Sequence, residues 1–169
     1  MPAKRNLQKS KQPTHPKIML LLSFLRRSPQ CIELALQMAA ERQAELIVLF
    51  VLDEEVLMTV TKKLTEDGWI GGKPSEQFLE ALRQEYREQA RTKIQEVEGA
   101  ARQKGISVKS FSREGNLVEE ALALLEQEKS DLIVVTRRKR SRLSRFLIGS
   151  AVADLLLQAP CPVKVIDEE

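Results

Sequence analysis

Histidine is nearly absent from this chain of 169 residues: His15 is the only one, and it lies in a polar stretch. A histidine-based catalytic triad or a His-ligated metal site needs imidazoles in the folded core, so neither is expected. The only two thiols, Cys31 and Cys161, sit at a predicted helix start and between two prolines. That is neither a disulfide framework nor a metal-ligand spacing, and it suits a reducing cytoplasm. No apolar run approaches the roughly 20 residues that a bilayer-spanning helix requires. The run Ile18 to Leu25 follows basic residues, but it is short and meets Arg26-Arg27 with no small-residue cleavage site, so a secretion signal is not expected. Aromatic residues make up 4% of the chain, and they are scarce beside the basic stretches, where nucleic-acid bases would need stacking platforms.

Acid is missing from two places. Residues 1 to 16 hold four Lys/Arg and no Asp or Glu, and residues 137 to 145 hold six, namely Arg137, Arg138, Lys139, Arg140, Arg142 and Arg145. Setting these ten aside from the chain's 27 basic residues leaves 17 against 24 acidic ones, so the body carries a balance of −7 behind a formal net charge of +3. A polyanionic partner responds to such local potential rather than to the sum.

What is present is an alternation of apolar runs and helical periodicities. Residues 1 to 16 lack periodicity and read as a disordered basic tail, with one domain over 17 to 169, a length that can bury its own core. Ile18 to Leu22 and Leu46 to Leu52 are continuous apolar runs of the kind a parallel strand needs when both faces are covered. Ser28-Pro29 supplies an N-cap and a first helical residue for a helix to about Arg42. Asp53-Glu54-Glu55 marks the carboxyl end of the second strand, and residues 53 to 75, rich in Thr and Gly, read as a flexible excursion. From Ser75, apolar residues at Phe78, Leu82, Tyr86, Ala90, Ile94, Val97 and Ala101 predict a long helix ending at Gly105. Ile106 to Phe111 alternates like an edge strand, Asn116 with Glu119 has capping-box spacing before another helix, and residues 132 to 136 form a fourth strand. Gly149-Ser150 opens an apolar helix, and Val163 to Ile166 closes the chain as a fifth strand.

The expected order is β-α-β-α-β-α-β-α-β, which right-handed crossovers turn into a five-stranded parallel sheet with helices on both faces, an α/β, Rossmann-like fold. Ligands of such sheets bind beyond the carboxyl ends of the strands at the switch point, where Ser23 to Ser28, Val51 to Glu55 and Thr136 to Ser150 converge.

From Lys17 to Ile166 the chain resembles the universal stress proteins. The resemblance is carried by Leu49-Phe50-Val51-Leu52-Asp53 at the end of the second strand, by the Gly115-Asn116 turn, and by a closing segment of Asp131 to Val134, Gly149-Ser150 and Ala159 to Val163. It implies a fold of the adenine nucleotide alpha hydrolase type and, in members that hold ATP, a phosphate loop of Gly, two residues, Gly, nine residues, then Gly with Ser or Thr. Those places fall here on Thr136, Lys139, Gly149 and Ser150, so two of three glycines are replaced by residues that restrict φ and close approach. The family's ribose-facing aspartate falls on Ser23, and its adenine-facing position on Val51. The resemblance also implies a homodimer paired through the last strand.

Three readings of this site stand side by side. ATP binding has been lost, leaving a regulatory or protein-binding scaffold with no cofactor; or ATP or AMP is held by Gly149 and Ser150 amides together with Lys139 and its arginine neighbours; or Arg137, Arg138, Lys139 and Arg140, with the basic tail, contact nucleic acid or another anionic surface. The first is the reading adopted, in a cytoplasmic, non-enzymatic stress protein; slow ATP hydrolysis would have only Asp53 or Glu54 near a water. Blander roles compete residue by residue. The Arg/Lys loop can be a solvated cap over the acidic end of the second strand, Trp69 a cover for the sheet edge, Cys161 a packed thiol and Ser150 an N-cap.

Overall fold

Strands that are apolar on both faces demand cover on both sides, and the chain provides it. The computed structural model describes residues 15–68, 72, 75–138 and 149–168. In chain order the elements are β1 (Lys17–Ser23), α1 (Pro29–Arg42), β2 (Glu45–Asp53), α2 (Glu54–Glu66), α3 (Glu76–Gln103), β3 (Val108–Gly115), α4 (Leu117–Glu128), β4 (Leu132–Arg138), α5 (Gly149–Gln158) and β5 (Val163–Glu168). The sheet has five strands in the order β3-β2-β1-β4-β5, every pair parallel. The expected architecture is present, with β1 and β4 meeting where the order reverses.

Alternation divides the core in two. Ile18, Leu20 and Leu22 of β1 pack with Leu46, Val48 and Phe50 of β2 and Leu132 and Val134 of β4 against α1 and α3, through residues such as Leu36, Ala90 and Val97. Met19 and Leu21, with Ile47, Leu49, Val51, Ile133 and Val135, face α4 and α5 through Leu117, Leu124 and Leu155. Period-two side-chain direction makes one strand serve both layers. Each fully buried Leu, Ile or Val contributes about 1.5–3 kcal/mol.

Local signals fix the helix ends. The Ser28 side chain accepts from the Cys31 amide, with Pro29 in the first helical position; Ser75 accepts from Phe78 N–H; Asn116 accepts from Val118 and Glu119 N–H. Gly115 precedes that last cap with φ +147, and a Cβ there would meet Glu120 Oε1 at 3.1 Å. Both the backbone region and the space therefore call for glycine.

One expectation is corrected. Residues 53 to 75 are not a flexible excursion throughout: Glu54–Glu66 is a helix that leaves β2 directly. Its buried Val56, Leu57 and Thr61 recur at helical spacing. The threonines that lower helix propensity are satisfied within the helix, Thr61 Oγ1 donating to Leu57 O at 2.8 Å and Thr65 Oγ1 to Thr61 O at 3.0 Å. Trp69 lies outside the described residues, as do 1–14 of the basic tail; Pro16, at the end of that predicted tail, is already tied to the sheet by its carbonyl, which accepts from Glu45 N–H at 2.9 Å.

Candidate functional site

The carboxyl ends of β1, β2 and β4 converge at the switch point. Ser23 and Val51 are direct neighbours in register, are 4% and 0% exposed, and by alternation share the α4–α5 face. Ser23 Oγ has no hydrogen-bond partner among the described residues. The two positions that the resemblance assigns to ribose and adenine are thus brought together.

Thr136 is turned the other way. It continues the Leu132, Val134 side of β4, so it faces α1, fully buried. The Cys31 thiol there is pushed up by burial, with the Thr136 hydroxyl pulling it back and Glu168 adding to the rise, yet Thr136 Oγ1 has no hydrogen bond of ordinary geometry among the described residues. Threonine at this place packs into the α1 layer rather than lining the α4–α5 side of the crevice.

Arg137 is engaged as well. It lies in β4 opposite Asp167 of β5, to which Nε and Nη2 donate at 2.6 and 3.1 Å, and this carboxylate holds its pKa above the ordinary value. A bidentate pair of this kind spends the guanidinium's planar fork on the strand partner. Arg138 ends β4, while Lys139, Arg140, Arg142 and Arg145 lie outside the described residues. Helix α5 starts at Gly149, which puts Ser150 inside the first turn instead of before it.

The residue that sequence reading missed is Arg26. After β1 the chain folds into a two-residue turn closed by Ser23 N–H to Arg26 O at 2.9 Å and Arg26 N–H to Ser23 O at 3.1 Å. This returns Arg26 to the end of its own strand, where it is only 2% exposed and among the largest buried side chains. Burial lowers its pKa to about 10, with the Asp53 charge at the end of β2 opposing that shift. Around it, Phe24 stacks on Tyr86 of α3 with ring centroids 4.4 Å apart and planes at 24°. Arg27 lies 5.1 Å over the Phe24 ring, and its Nη1 donates to Gln89 Oε1 at 3.2 Å.

Outside this knot the rim is acidic and paired. Arg83 reaches Glu54 at 3.3 Å and Arg87 reaches Glu114 at 2.6 Å, which holds the Glu114 carboxyl below its usual range. The cavity bounded by Leu52, Asp53, Glu54, Leu57, Arg83, Tyr86 and Glu114 measures about 20 Å³, room for about one water. A more open space of about 290 Å³ lies beyond the turn against Phe24, Leu25, Arg27 and Glu168. A cleft of about 350 Å³ at the opposite pole, by Gln43, Glu45, Lys104 and Ser107, lies at the amino ends of the strands, away from the convergence. Among the described residues no group of three or more His, Cys, Asp or Glu could hold a metal ion, and no helix is long and apolar enough to cross a membrane.

A family model described as Universal stress protein family matches residues 15–167. The chain belongs to the universal stress protein family. Universal stress protein YxiE of Bacillus subtilis is 25% identical over 150 residues, which span 89% of this chain and 97% of that protein. Among solved structures, universal stress protein UspA of Lactobacillus plantarum matches with a TM-score of 0.66 at 18% identity, covering 90% of this chain and 99% of that one. The universal stress protein of Archaeoglobus fulgidus in complex with dAMP matches with a TM-score of 0.56 at 15% identity, over 90% and 98%. Both structures speak to the fold of this universal stress protein domain. The buried Arg26 lies after β1, and only the bare dipeptide Arg26-Arg27, wedged between an apolar strand and an N-cap, could have hinted at it.

Proposed function

We propose that this universal stress protein domain acts by binding other macromolecules in a stress or regulatory role in the cytoplasm, without turnover, and that its nucleotide crevice is filled by its own Arg26. The observation that carries the reading is the burial of Arg26 beside the ends of β1 and β2, with Asp53 as a counter-charge. Replacement of the ribose-facing acid by Ser23 acts in the same direction.

A second reading keeps the nucleotide, and the dAMP held by the Archaeoglobus relative favours it. In this chain the open space beyond the turn and the amides at the start of α5 would receive the phosphates. Native mass spectrometry of protein purified without added ligand separates the two. The filled crevice predicts the mass of the bare chain or of its dimer, with no heat on titration with ATP. A stoichiometric adenine nucleotide carried through purification would overturn it.

A further inference from the structure

The turn that delivers Arg26 does not hold itself. Its two backbone hydrogen bonds close a single loop of Ser23 to Arg26, and a turn of that size frays unless its side chains are anchored. Its outer residues find their anchors on one helix: Phe24 stacks on Tyr86, and Arg27 donates to Gln89 while covering the Phe24 ring. Tyr86 and Gln89 are three residues apart on α3, so they present one continuous surface. Stacking and cation–π contacts are individually weak, which suits a closure that can be undone.

We propose that these contacts form an autoinhibitory latch: Phe24 on Tyr86 and Arg27 on Gln89 pin the turn to α3, keep Arg26 in the crevice, and exclude a nucleoside monophosphate until the latch is released. This rests on the reading that Arg26 fills the crevice. No residue of the latch is Ser23 or Val51, so releasing it leaves those two positions intact.

The test uses the full chain and two readouts. Hydrogen exchange of the Ser23 and Arg26 amides is compared in wild type, Tyr86→Ala, Tyr86→Phe and Gln89→Ala. The latch predicts exchange at least tenfold faster in Tyr86→Ala and Gln89→Ala and wild-type exchange in Tyr86→Phe, which keeps the stack. Calorimetric titration with AMP is predicted to show at least tenfold tighter binding in those same two variants, and in Arg26→Ala, than in wild type. Gln89→Ala, a partly exposed position, keeps the test valid if Tyr86→Ala folds poorly. Unchanged exchange in Gln89→Ala and Tyr86→Ala overturns the latch. AMP binding to Arg26→Ala alone also overturns it but leaves the filled crevice standing. Equal AMP affinity in wild type and Arg26→Ala removes the filled crevice and the latch with it.

Discussion

A buried arginine is a costly residue, because its charge leaves water whether or not a partner is found. Arg26 accepts that cost at the sheet end where the family resemblance seats a ligand. Glu128 is the contrasting case. It is 6% exposed at the end of α4, accepts from Lys109 Nζ at 3.0 and 3.3 Å, and lies 3.7 Å from Lys17 Nζ, so it joins the starts of β1 and β3. Lys109 is the main cause of its lowered pKa. A folded-state pKa below the unfolded value of about 4.3 means that the stabilisation is complete above that unfolded value and is lost as pH falls through the folded one. Urea denaturation at several pH values between 6 and 3 is expected to show a decline in stability that is shallower in Glu128→Gln. An identical decline in the variant would remove Glu128 from the account.

At the scale of elements, caps and glycines make the sharpest predictions. Gly115→Ala must take up φ +147 and approach the Glu120 carboxylate, and it is expected to cost about 1–3 kcal/mol. Gly99 lies inside α3 with nothing within 4 Å of an added Cβ, so Gly99→Ala is expected to stabilise by about 0.5–1 kcal/mol. Chemical denaturation of the pair checks both signs. The strands, α1, α3 and α4 were legible because their apolar periods and caps are local signals. Helix α2 was not, because Thr59, Thr61 and Thr65 argue for turn or strand until the i−4 carbonyls that accept two of their hydroxyls are seen. The site was half legible. Ser23 and Val51 meet as the resemblance implies, but the direction of Thr136 depends on strand alternation counted from the core, and the burial of Arg26 depends on a turn that no residue type announces.

For the whole molecule, the two sheet edges differ. β3 carries Lys109 and Arg113 beside Phe111, with both cations paired to acids of α4, charges that protect an edge from other strands. β5 ends the sheet with a short, half-buried Val-Lys-Val-Ile run, and Leu157 on neighbouring α5 is 84% exposed. We expect this side to pair with a second copy, an isologous contact about a twofold axis. Analytical ultracentrifugation at micromolar concentration is predicted to give twice the 19.2 kDa chain mass. A monomer there would refute the pairing.

The central claim is that Arg26 stands where a nucleotide would. A crystal structure of the full chain grown in excess ATP tests it most directly. The prediction is a guanidinium beside Asp53 with no base against Val51. An adenine ring packed on Val51, with Arg26 displaced into solvent, would contradict it.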